Sequence, residues 1–185
     1  MNFKHLESAI EEALEIEPRA ELKELCQGYY FPYYMLLHIL AGQQNGVCVE
    51  LGVDKGRGCR FMLESVGRDN RVFGVEQNDK ECFQMSHPKL TLLKCSSTPV
   101  PQAIQDAGKI SVLHIDTEHS YARAEAEFNA YKPFLADGAV VCFDDTNAME
   151  GDVWRFVESL PYEKIRDDRL HPGCGYAVLI YRENV

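Results

Sequence analysis

Apolar and polar positions along this chain switch repeatedly between two periods. Short, almost unbroken apolar runs (VCVELG, RVFGVE, LTLLKC, ISVLHID and AVVCFDD) alternate with stretches in which apolar residues recur every three or four positions. Runs that are apolar on both parities read as strands buried on both faces, the mark of a parallel sheet. The stretches between them, among them RGCRFMLESVG, SYARAEAEFNAYKPFL and MEGDVWRFVESL, read as helices, with shorter ones expected from Asp79 and at Pro99. The chain closes with YEKIRDD and GYAVLIYR, joined around Leu170-His171-Pro172-Gly173 as a hairpin. This order predicts an α/β fold. Its doubly wound, Rossmann-like sheet has seven strands, mostly parallel, with one antiparallel strand from the C-terminal hairpin. Ahead of the sheet, residues 2–26 read as one amphipathic helix with Leu6, Ile10, Ala13, Leu14 and Leu25 as its stripe. Tyr29–Leu40 reads as a second helix, entered at Pro32. Residues 1–185 form a single domain on this reading, with 1–45 a helical segment acting as a lid or a dimer contact.

Composition narrows the partners. A formal charge of -10 disfavours a nucleic-acid backbone, whose binding rests on clustered Lys and Arg. It suits a cationic or metal-bridged small ligand. The seven cysteines include no C-x-x-C pair, and an odd count without a signal peptide points to a reducing, cytoplasmic setting. No apolar run reaches membrane-spanning length.

In a doubly wound sheet, ligands sit beyond the carboxyl ends of the strands. The residues there are Glu50 to Gly56, Glu76, Cys95 to Thr98 (with Ser96 a candidate contact), Asp116 to Tyr121, and Asp144 to Asn147. Gly52 and Gly56 free the backbone to turn and approach a ligand, or form an ordinary βα turn. Asp54 in the same loop argues against a pyrophosphate. Glu76, about 20 residues after the glycine turn, has the position of an acid that accepts hydrogen bonds from a ribose. Glu50 either binds a ligand amine or holds the glycine loop through backbone N–H groups. Asp116, Asp144 and Asp145 make a carboxylate cluster suited to a hard divalent cation such as Mg²⁺, unless Asp145 or Thr146 merely caps a helix. His119 either takes a proton from a substrate hydroxyl, with a pKa suited to neutral pH, or ligates the metal. His114 reads as a core residue, and His171 overlooks the same face. The aromatic run Tyr29, Tyr30, Phe31, Tyr33 and Tyr34 packs against the sheet edge or roofs the pocket.

These residues resemble class I S-adenosylmethionine (SAM)-dependent methyltransferases. Within them the chain is similar to a small metal-dependent O-methyltransferase-like group that includes macrocin-type sugar O-methyltransferases and proteins labelled cephalosporin hydroxylase. VELGVDKGRG is similar to the family's cofactor loop and GVEQND to its ribose-binding strand end. HIDTEHSYARAEAEFNAYKPFLADGAVVCFDDT resembles its Asp-x-x-His-Ser-Tyr stretch, helix and Asp-Asp-Thr strand end. The family often has Gly-Asp where this chain has Thr117-Glu118, and a bulkier Thr117 narrows the pocket. The resemblance implies Glu50, Gly52, Val53, Gly56, Glu76, Ser96 and Asp116 around the cofactor. It implies Asp116, Asp144 and Asp145 on the metal, with His119 as base and Asp116 beside it in catalysis. The implied activity is metal-assisted O-methylation of a small hydroxylated molecule, catechol-like or a sugar, with no nucleic-acid or membrane partner and possible homo-oligomerisation. A non-catalytic cofactor-binding protein and a NAD-type oxidoreductase are the alternatives.

Overall fold

The computed structural model describes residues 1–26, 31–67 and 70–185; the side chain of Leu25, and Tyr29 and Tyr30 of the aromatic run, lie outside the described residues. Seven strands form one sheet in the order β3-β2-β1-β4-β5-β7-β6. They are β1 (Val47–Leu51), β2 (Arg71–Glu76), β3 (Leu90–Lys94), β4 (Ile110–Ile115), β5 (Leu135–Asp144), β6 (Glu163–Arg166) and β7 (Tyr176–Ile180). The first five strands pair in parallel, and β7 runs antiparallel between β5 and β6. The expected sheet is therefore the one that forms.

Helices cover both faces. On one lie α1 (Phe3–Glu15), α2 (Ala20–Leu25), α3 (Pro32–Gln43) and α4 (Arg57–Ser65). On the other lie α5 (Gln102–Gln105), α6 (Tyr121–Tyr131) and α7 (Asp152–Ser159). Strand alternation splits the core accordingly: Cys48, Val112, Val140 and Val178 face the first group, while Val49, Leu113, Val141 and Leu179 face the second. No helix among the described residues is long and apolar enough to cross a membrane.

The N-terminal segment departs from the single helix that its stripe predicts. Ile16 leaves the helix with an extended backbone (ψ 124°), and the second helix begins only at Ala20. Pro18 lies in the gap and cannot continue a helical hydrogen-bond ladder. Smaller differences follow the same logic: the turn after Asp79 is a 3₁₀ segment, Glu81–Gln84, and the helix expected at Pro99 is the short α5. Tyr33 lies not at a sheet edge but over its centre, with its ring centroid 4.8 Å from Tyr176 and 5.7 Å from His114.

One glycine ties the site's strands together. Gly52 has φ 83°, and a Cβ there would stand 1.8 Å from the Asp116 carbonyl oxygen. The β1 loop and the end of β4 therefore touch through bare backbone. Gly52→Ala should cost about 2 kcal/mol or more, from strain and displacement combined. Denaturant unfolding measures it, and a loss within about 0.5 kcal/mol would show that the contact yields easily.

Candidate active site

Register decides which acids meet. Glu50 pairs with His114, His114 with Cys142, and Asp144 with Tyr176. Glu50, His114, Asp116 and Asp144 thus fall on the same parity, above the face that α3 covers. Asp145, one residue further, belongs on the opposite face of an extended strand. Its backbone instead turns left-handed, with φ 51°. That conformation is uncommon outside glycine, and it is what lets both members of the Asp144-Asp145 pair reach one place.

Two histidines stand between the carboxylates. His119 Nδ1 is 3.0 Å from Asp145 Oδ2, and its Nε2 is 3.3 Å from Asp116 Oδ1. Hydrogen bonds donated to Asp116 and Asp145 push the imidazole pKa up to about 10, against the opposing effect of burial. The two carboxylates thus favour the protonated ring. Asp116 moves the other way from an ordinary carboxylate, up to about 6, because of burial and then the nearby Asp144 charge. His171 Nδ1 lies 2.6 Å from Asp144 Oδ1. Burial works against its protonated form, but the Asp144 bond and charge raise its pKa on balance. His171 thus joins the carboxylates directly, with its ring 4.1 Å from that of Phe31.

The donor chemistry fits a cation. Among the described residues, His114 with Asp116 and Asp144, Asp116 with His119 and Asp145, and Asp145 with His171 and Cys174 each bring three possible ligand atoms within 4.8 Å of one another. His114 Nε2 and Asp145 Oδ1 are buried with no hydrogen-bond partner. Asp116, Asp144 and Asp145 could hold a divalent ion there and would be relieved of mutual repulsion by it.

Next to this cluster opens a cavity of about 600 Å³, and Asp116 and His119 belong to its wall as well. Gly52 and Glu76 line the opposite side. The two oxygens of Glu76 accept the Asp54 N–H (3.2 Å) and the Asn78 N–H (2.9 Å), which fixes the carboxylate while leaving lone pairs for a ligand. Gly56, with φ 79°, opens α4 and leaves room for the Met85 sulfur, which an added Cβ would approach to 2.1 Å. Asp54 lines the cavity but is 3.0 Å from Lys80 Nζ, so its charge repels a phosphate less than the sequence suggests.

Other expected cofactor residues lie elsewhere. Glu50 is buried beneath the cavity, where it accepts the Cys59 N–H at 2.7 Å and meets His114 Nδ1 at 3.3 Å. It thereby holds the start of α4, just beyond the glycine loop. Val53 is buried beside Gly74. Ser96 is exposed, and its neighbour Ser97 lines the cavity instead.

Sequence reasoning put Ser97 and Thr117 among the strand-end residues but missed the acid that joins them. Glu127, on α6, is fully buried. It accepts hydrogen bonds from Ser97 Oγ (2.5 Å) and Thr117 Oγ1 (2.7 Å) and pairs with Arg123 Nε (2.9 Å). All three partners line the cavity. A charged residue within an amphipathic helix reads as solvent-facing, and only Thr117, as a departure from the resembled pattern, drew attention.

A family model described as a methyltransferase domain matches residues 49–146. No curated protein matches the sequence. Among solved structures, the O-methyltransferase TomG from Streptomyces achromogenes, in complex with SAM, is similar over 98% of this chain and 99% of its own, at 15% identity and a TM-score of 0.71. Cofactor-bound Rv0187 from MTB is similar over 98% of this chain and 89% of its own, at 16% identity and a TM-score of 0.68. The methyltransferase MycE from the mycinamycin biosynthetic pathway, in complex with Mg, SAH and mycinamycin VI, is similar over 87% of this chain and 53% of its own, at 15% identity and a TM-score of 0.61. At these identities the likeness is one of fold.

The raised pKa of His119 has a consequence for stability. A group protonated more tightly in the folded state stabilises it fully below the unfolded pKa, and that contribution is lost as pH rises through the folded pKa. For His119 the loss runs from 6.5 to about 10. In the cation-free protein, His119→Gln should flatten the fall of the thermal midpoint across that window. Parallel pH profiles for the two proteins would show that the histidine is not held by its carboxylates.

Proposed function

The chain belongs to the methyltransferase-domain family and is a SAM-dependent methyltransferase, and we propose that it methylates a hydroxyl oxygen of a small molecule held beside a divalent cation. The observation that carries this reading is the shared wall. Asp116 and His119 belong both to the cavity that Gly52 and Glu76 line and to the carboxylate–histidine cluster beside it. A cofactor in the cavity and an acceptor at the cluster would therefore be neighbours.

The chain's residues have distinct tasks on this reading. Glu76 accepts hydrogen bonds from the cofactor ribose hydroxyls. Gly52 lets the backbone approach the methionine portion. The acidic surroundings favour the cationic sulfonium over its neutral product, S-adenosylhomocysteine (SAH). Asp116, Asp144 and Asp145 would hold the cation, with Mg²⁺ the ion expected of an all-carboxylate set. Such an ion, when bound, lowers the pKa of an acceptor hydroxyl and orients it. His119 receives the acceptor proton once Asp116 and Asp145 are engaged elsewhere and no longer hold its ring protonated. Alignment of nucleophile, methyl carbon and sulfur is the remaining requirement, and the fixed wall residues serve it. TomG's description as an O-methyltransferase and the Mg and SAH bound to MycE support the oxygen acceptor and the cation. All seven cysteines are free, which fits a cytoplasmic setting.

Calorimetric titrations of SAH and NAD, with and without Mg²⁺, test the reading against an oxidoreductase or a protein that only binds the cofactor. SAH should bind and NAD should not, and Mg²⁺ should give its own heat. NAD binding, or no binding of either, would overturn the assignment.

The two halves of the site should also separate by mutation. Glu76→Ala should weaken SAH by about 10- to 100-fold, the loss of charge-assisted hydrogen bonds, and leave the cation untouched. Asp144→Ala should keep SAH affinity within about twofold and abolish cation-dependent turnover. Wild-type activity in Asp144→Ala would eliminate the cation from the mechanism.

A further inference from the structure

The connection between β6 and β7 makes a tight turn at His171-Pro172-Gly173-Cys174. The N–H groups of Cys174 and Gly175 both donate to the His171 carbonyl, at 3.2 and 2.8 Å. The turn is also tied to the segment after β5: Thr146 N–H donates to the Gly175 carbonyl at 3.2 Å, and Asn147 N–H to the Cys174 carbonyl at 2.7 Å. These bonds hold His171 and Cys174 against Asp145. A ring nitrogen of His171, the Cys174 sulfur and an Asp145 carboxylate oxygen lie within 4.8 Å of one another. His171 Nδ1 is 3.7 Å from Asp145 Oδ1, and that oxygen is buried and accepts no hydrogen bond. A buried anionic oxygen without a donor is costly. The atoms beside it are a nitrogen and a sulfur, both able to ligate a cation.

We infer that Asp145, His171 and Cys174 bind a borderline transition cation, of the Zn²⁺ or Co²⁺ class, in preference to Mg²⁺. Mg²⁺ takes oxygen ligands and keeps several waters, whereas imidazole and thiolate select softer ions. Three protein ligands would leave a further position for water or substrate, the pattern of catalytic rather than structural zinc. His171 Nδ1 also lies 2.6 Å from Asp144 Oδ1, and the proton it shares with that carboxylate leaves when the nitrogen ligates. The thiol proton passes to solvent when the ion binds. The inference rests on the cation reading above in one respect, that Asp145 belongs to both donor sets. It changes the ion expected there.

Co²⁺ titration of the whole protein tests this by absorption. Binding at one equivalent should bring a near-ultraviolet thiolate-to-cobalt band, and a large excess of Mg²⁺ should leave it in place. Cys174→Ser should abolish the band, and His171→Ala should weaken Co²⁺ by about tenfold or more. Cys95→Ser, at the other partly exposed cysteine, should keep the band. In wild type, Zn²⁺ should protect Cys174 from alkylation, read by mass spectrometry, so the answer does not depend on a variant that folds. Absence of the band, its displacement by Mg²⁺, or unprotected Cys174 would overturn the inference. SAH calorimetry on the same samples reports the methyltransferase reading separately: SAH binding without the cobalt band would sink the ion assignment alone, and the band without SAH binding would sink the cofactor alone.

Discussion

Three carboxylates converge where β4 and β5 end, and their repulsion must be met by positive charge for the folded state to tolerate them. In the cation-free protein that charge comes from histidines. His119 bridges Asp116 and Asp145, and His171 takes Asp144. Neither is a fixed cation like Arg, so the compensation can be withdrawn. An ion that binds the carboxylates replaces the histidine protons, and the same side chains pass from holding charge to accepting it. The pKa of about 10 at His119 thus reflects the two carboxylates that hold its ring.

The rest of the architecture brings this cluster and the Gly52 loop together at the carboxyl ends of the strands. Parity along β1, β4 and β5 places Glu50, His114, Asp116 and Asp144 above one face. Glu50 is drawn downward into the start of α4, where Gly58 leaves no room for even a Cβ, which would sit 1.9 Å from Glu50 Oε1. With that acid outside the cavity, Glu76 and Asp54 are the carboxylates beside Gly52 in its wall. The close backbone contact at Gly52 then sets the separation between the two halves.

Much of this was legible in the sequence, and what was not shares a cause. The mostly parallel sheet and the acidic strand ends follow from apolar runs that stop at an acid, a local pattern. The helix break near Pro18 was not read because the apolar stripe continues across it: Leu6, Ile10 and Ala13 before the break and Leu22 after it are all buried on the same core. Asp145 looked like a possible helix cap because its left-handed turn is set by packing around the β5 end rather than by residue type. His171 is distant in sequence from Asp144 and meets it only through the β5–β7 pairing. Glu127 was invisible for the same reason, since two of its partners, Ser97 and Thr117, come from outside its helix.

That distinction also bears on how the site divides its labour. The cofactor side is built from local features, glycines in left-handed turns and an acid at a strand end, which admit little change without loss of the backbone path. The acceptor side is assembled from side chains of distant segments, on the β4 and β5 ends and the β6–β7 turn. A substitution there changes ligand chemistry while the sheet stays in place. His171 and Cys174 sit on that turn, outside the matched residues 49–146. The cluster therefore joins strand ends within the matched residues to a turn beyond them, so its donor set can vary at that turn while the sheet stays in place.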